Sequence, residues 1–192
     1  MKKVGITGGI GSGKTTVCRL FHMMGIPVYN ADDAARKIMH TPVLKEKLII
    51  EFGDIYIGDD LNRDKLANLV FNDPEKLAKL NSIVHPHVIN DYVLWEAAQN
   101  APFILRESAI LFESGTNARL DKVITVTAPE ELRIKRSASR DSKKAEDIIA
   151  IIKRQMPEEE KVKRSDYIIC NDDVSAVLPQ VRNIYNELDK LA

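Results

Sequence analysis

Cysteine is scarce in this chain. Only Cys18 and Cys170 occur in 192 residues. A disulfide framework needs several cysteines in a short chain, so two reduced, buried thiols are expected instead. Neither sign of charge is in excess, since 28 basic residues face 28 acidic ones. Broad binding to nucleic acid needs a basic surface, so nucleic acid is not expected as a partner, although a local basic pocket is compatible with the balance. No apolar run is long enough for a signal peptide or a membrane span. A cytoplasmic chain with no membrane partner is the expectation. Nor do metal-binding side chains cluster. His85 and His87 flank Pro86 with no further His or Cys nearby in sequence, which argues for a turn rather than a zinc site.

What is present is enough apolar sequence for a core. Hydrophobic residues make up 44% of the chain, which suits one domain over residues 1–192. Residues 3–7 form a short β-prone run, followed by glycines and then by Val17, Leu20, Phe21 and Met24 at helical spacing. Residues 25–29 read as a turn into a second strand. Further strands are expected at 102–105, 122–126 and 167–170. Helical patterns separate them, so the fold class is α/β, with a five-stranded parallel sheet covered by helices on both faces. The long stretch between the second and third strands reads as helical. It predicts helices at 66–71 and 74–83, the latter capped by Asn72 or Asp73, then a break at His85-Pro86 and another helix to 98. An inserted helical subdomain at 41–98 follows from that pattern.

Gly8-Gly9-Ile10-Gly11-Ser12-Gly13-Lys14-Thr15 matches the phosphate-loop pattern G-x-x-x-x-G-K-[ST] at each fixed position, between a strand and a helix. Glycines let backbone N–H groups close around phosphate oxygens, and the helix N-terminus adds its positive dipole. Lys14 is expected to reach the β- and γ-phosphates and the Thr15 hydroxyl to ligate Mg²⁺. Gly9, Gly11, Ser12, Gly13, Lys14, Thr15 and Thr16 are the expected ATP contacts in a fold of the P-loop NTPase type. A tight strand–helix turn is the ordinary alternative, and the complete motif in context outweighs it. A guanine-reading Asn-Lys-x-Asp motif is absent.

Three other groups carry chemistry. Asp32 falls at the end of the second strand, where ligands of parallel sheets sit. It can accept a hydroxyl proton or hold Mg²⁺ through water, or it can start the next helix, as can Asp33. Arg133, Lys135, Arg136, Arg140, Lys143, Lys144 and Arg154 crowd one stretch. Phosphoryl transfer needs positioned cations, and this stretch can supply them, against the ordinary reading of a solvated helix face. Glu107 ends the third strand. It suits a water-mediated Mg²⁺ ligand, or a partner for Arg106 or a nearby arginine.

The block at residues 5–16 resembles the signature of the dephospho-CoA kinase family almost letter for letter. Residues 25–28, Ala31-Asp32 and Ala35-Arg36 are similar to its next segment, and residues 61–63, 70–71, 83–86, 111–113 and 166–171 to later ones. The resemblance implies ATP-dependent phosphorylation of the ribose 3′-hydroxyl of dephospho-CoA. It makes Asp32 the catalytic base, with Lys14 and Arg140 beside it in the catalytic set, and it singles out Arg136 and Arg140 as the arginines that contact the ATP phosphates. It puts Arg63 and His85 on the acceptor side, residues 41–98 in the CoA-side subdomain, and residues 137–145 in a lid that closes to exclude water. Four positions depart from the family pattern: Asn30 replaces an Asp, Ala109 a Pro, and Asp172-Asp173 a Gly-containing turn. A kinase for another small acceptor, such as a nucleoside monophosphate, and a P-loop binding module or switch without transfer chemistry are the alternatives.

Overall fold

Short runs rich in Val and Ile build the sheet, and amphipathic helices cover it. The computed structural model describes residues 1–71, 73–142 and 144–191. In chain order its elements are β1 (Lys2–Thr7), α1 (Lys14–Met23), β2 (Val28–Asn30), α2 (Ala31–Met39), α3 (Pro42–Phe52), β3 (Tyr56–Ile57), β4 (Asp60–Leu61), α4 (Arg63–Phe71) and α5 (Pro74–Ala97). Then come β5 (Phe103–Glu107), a 3₁₀ turn (Thr116–Arg119), β6 (Lys122–Thr127), α6 (Glu130–Asp141), α7 (Ala145–Arg154), α8 (Glu158–Lys163), β7 (Tyr167–Cys170) and α9 (Val177–Lys190). Among the described residues the main sheet has five parallel strands in the order β2-β5-β1-β6-β7.

The chain divides into two compact units, Met1–Asn30 with Gln99–Ala192, and Ala31–Ala98. In the first, β1 sits mid-sheet and all five residues of β5 are buried, as a parallel sheet covered on both faces requires. Val4, Ile6, Phe103, Leu105, Ile124 and Val126 form one core with Val17 and Phe21 of α1 and Val181, Ile184 and Leu188 of α9. The Phe21 ring meets Phe103 edge-on, with centroids 6.2 Å apart. Each such buried side chain contributes roughly 1.5–3 kcal/mol. Cys18 is buried and Cys170 only half-buried, and both thiols are free. The exposure of Cys170 corrects the expectation of two buried thiols: it is the last residue of an edge strand, where covering is incomplete.

In the second unit α2, α3 and α4 pack on α5. Asp73 caps α5, accepting from the Lys76 N–H at 3.0 Å, with Pro74 in the first turn. Asn72, the other expected cap, lies outside the described residues. The expected break at His85-Pro86 does not occur, and α5 runs through Pro86. Val84, Val88 and Tyr92 explain it: they place one buried stripe across the proline at four-residue spacing, so packing offsets the lost backbone bond. The β3–β4 hairpin was not expected either. It is two residues per strand, too short to show an alternating pattern.

Candidate active site

The phosphate loop joins β1 to α1 at the C-terminal end of the sheet. Gly13 caps α1 with a left-handed backbone, φ 93°, and a Cβ there would strike the Asn171 carboxamide. That carboxamide donates to the Ser12 carbonyl at 2.8 Å. Gly11, φ 76°, lies so close to the Arg133 carbonyl and the Ser137 hydroxyl of α6 that no side chain fits. The loop is therefore pressed between α6 and the end of β7. Lys14 folds back over it, its ammonium donating to the carbonyls of Gly8 at 2.9 Å and Gly9 at 3.2 Å. The buried Ser12 hydroxyl has no hydrogen-bond partner among the described residues. Thr16 is exposed in the first turn of α1.

Behind the loop sits Glu107. It pairs in register with Ile6 on one side and Asn30 on the other, and two side chains, one from α1 and one from β2, reach its carboxylate. Thr15 Oγ1 donates to Oε1 at 3.2 Å and Asn30 Nδ2 to Oε2 at 2.8 Å. Burial, and then the charge of Glu107, push the Cys18 thiol well above its usual range, so Cys18 is inert packing. Oxygen donors at a threonine hydroxyl and a carboxylate suit a hard cation such as Mg²⁺, which keeps most of its water and takes few protein ligands. Among the described residues no three His, Cys, Asp or Glu gather in a metal-holding group.

Asp32 is exposed in the first turn of α2, two residues past Asn30. Asp33 pairs with Arg36 at 3.1 Å on the surface. Arg63 is the exposed first residue of α4, and His85 is half-buried within α5. Asp32, Arg63 and His85 belong to the second unit, whereas Lys14, Thr15, Glu107 and Asn30 converge in the first.

The basic stretch divides by burial. Arg133 is 6% exposed and pairs with Glu158 at 3.3 Å. Burial still leaves the Glu158 carboxyl above its usual range, partly offset by that arginine. Arg136 donates to the Asn171 carbonyl at 3.0 Å and to the Asp173 carboxylate. The acidic turn after β7 therefore holds one of the two candidate arginines. Arg140 is 62% exposed and forks onto Asp141 at 2.7 and 2.8 Å, which raises its pKa further. Of the expected lid, residues 137–141 continue α6 and Lys143 lies outside the described residues.

Sequence reasoning passed over two supports of the loop. The Ile10 N–H donates to Gln155 Oε1 at 2.9 Å, and Asn171 braces Ser12. Gln155 carried no motif. Asn171 stood inside a recognised block, but its side chain had no assigned task.

A family model described as dephospho-CoA kinase matches residues 2–176. Dephospho-CoA kinase from Bacteroides fragilis is 38% identical over 182 residues, 93% of this chain and 89% of its own length. Among solved structures, TT1252 from Thermus thermophilus matches with a TM-score of 0.88 at 36% identity, over 100% of this chain and 98% of that one. Dephospho-CoA kinase from Campylobacter jejuni matches with a TM-score of 0.69 at 28% identity, over 98% and 97%.

Proposed function

The chain belongs to the dephospho-CoA kinase family, and from that premise we propose how its residues carry that family's reaction, the ATP-dependent phosphorylation of dephospho-CoA to coenzyme A. The observation that carries the reading is the complete phosphate loop with Thr15, Glu107 and Asn30 joined behind it.

The loop amides and the start of α1 hold the ATP phosphates. Lys14 exchanges the carbonyls of Gly8 and Gly9 for β- and γ-phosphate oxygens. Thr15, with Glu107 acting through water, would hold Mg²⁺, which would supply positive charge against the charge developing on the phosphates. Asp32 receives the proton of the ribose 3′-hydroxyl as that oxygen attacks the γ-phosphorus, whose bond to the β,γ-bridging oxygen breaks and releases ADP. Residues 41–98 form the acceptor-side subdomain, with Arg63 and His85 contacting dephospho-CoA. Arg136, just before the lid segment at 137–145, and Arg140, within it, serve the transferring phosphoryl group. Arg140 must leave Asp141 to do so, and its exposure makes that exchange cheap, because exposed ion pairs are worth little.

The experiment is a transfer assay with ATP and Mg²⁺, the product read by mass spectrometry and its phosphate located by fragmentation. One phosphate on the 3′-oxygen of dephospho-CoA is expected. Faster transfer to nucleoside monophosphates than to dephospho-CoA would sink the acceptor assignment. Lys14→Ala is expected to remain folded by circular dichroism and to lose most turnover.

A further inference from the structure

The Ile10 N–H of the phosphate loop is held by Gln155, 145 positions away, and Gln155 is itself held at the next residue. The Met156 N–H donates to Glu113 Oε1 at 2.8 Å, and the Lys161 ammonium reaches that same oxygen at 3.0 Å. Lys161 is 0% exposed, and its ammonium also donates to the Ala109 carbonyl at 2.7 Å. Ala109 lies two residues beyond Glu107, the carboxylate behind Thr15. One buried ammonium thus fixes both the segment leaving Glu107 and the segment bracing the loop. Stability alone gives a weak reason for this arrangement. A buried lysine loses hydration and rotamer freedom, and apolar replacement of a buried ion pair is often neutral or stabilising. Geometry gives a stronger one, since reacting groups tolerate little displacement.

We propose that Gln155 and Lys161 are positioning residues for phosphoryl transfer. Lys161 holds the Glu113 carboxylate, which fixes the Met156 amide. The adjoining Gln155 carboxamide then meets Ile10 and sets the peptide planes of the loop. The inference rests on the reading of residues 8–15 as the ATP phosphate site.

A double-mutant cycle tests it, with Mg²⁺–ADP binding and steady-state transfer as readouts. Gln155→Ala removes a half-buried side chain and is expected to keep its thermal midpoint. It should raise the ADP dissociation constant and the ATP KM by about tenfold, with the dephospho-CoA KM unchanged. Lys161→Met, assayed cold with folding checked by circular dichroism, should shift ADP binding in the same direction. Combined with Gln155→Ala it should add nothing, because residues acting through one path are not additive. Should Lys161→Met fail to fold, Glu113→Gln takes its place in the cycle with the same expectation. Normal ADP binding by Gln155→Ala overturns the proposal. Effects that multiply in the double variant overturn the relay, as does a lowered midpoint with wild-type kinetics per folded molecule. The ADP arm uses no acceptor, so a wild-type chain that binds ADP yet transfers nothing to dephospho-CoA would overturn the proposed reaction while this test still stands.

Discussion

At Asp32 the proposed chemistry asks for a proton acceptor and nothing else of the side chain. Asp32→Asn keeps size and hydrogen-bonding shape, so ATP KM should stay near the wild-type value. Steady-state kinetics should show kcat lower by about 10²–10⁴, the range for a lost general base. Asp33→Asn is the control, since Asp33 is exposed and pairs with Arg36 at the surface, and it should be mild. Asn30 is a different case. Its amide donates to Glu107 at 2.8 Å, so Asn30→Asp removes a donor and sets a second carboxylate against the first. The loss of a donor to a buried acceptor costs about 1–3 kcal/mol. The thermal midpoint of Asn30→Asp in a chelator should fall accordingly, and Mg²⁺ should restore part of it. An unchanged midpoint would mean the bond contributes nothing. The residues legible in the sequence were those whose task fixes their type at short spacing, Gly8 through Thr15 above all. Gln155 and Asn171 were not, because the atoms they hold lie 145 and 159 positions away and any side-chain amide looks alike in a sequence.

Elements were legible where their patterns were long, and α5 shows the limit. Pro86 suggested two helices, and one forms because Val84, Val88 and Tyr92 bury a continuous stripe. Pro86 itself is exposed. Pro86→Ala should therefore raise the thermal midpoint, because it restores a backbone bond worth about 0.5–1.5 kcal/mol and loses little packing. A lowered midpoint would show that the ring packs better than its exposure suggests. Between β5 and α8, Glu113 gives a pH signature. Burial pushes its carboxyl up, but the Met156 amide, its own backbone amide and then Lys161 prevail and hold it below its ordinary 4.5. Its stabilisation is thus present above that ordinary value and is lost as pH falls through it towards the lowered one. Glu113→Gln should have a lower midpoint than wild type near neutral pH, with the gap narrowing below about 4.5. A gap that stays constant to low pH would remove the charge from the account.

Across the whole molecule, the alternation of strands and helices gave the parallel sheet directly. The order β2-β5-β1-β6-β7 was not readable, because periodicity fixes an element's type and not its neighbour. The charge balance has a bulk consequence. With 28 charges of each sign and an isoelectric point near 6.9, mutual repulsion is least at neutral pH. Precipitation by polyethylene glycol should show a solubility minimum near that pH and recovery about a unit to either side; a flat profile would contradict it.

The position of β1 also sets a schedule for the chain as it is made. A ribosome, working at about 5–20 residues per second, releases the phosphate loop well before the segments that support it. Yet β1 pairs with β5 and β6, and the amides bracing the loop come from positions 155 and 171. Until those positions are made, the loop is a glycine-rich segment without its supports. The growing chain gains a finished nucleotide site only once position 171 is in place, so a product cut short before it carries the motif without its grip.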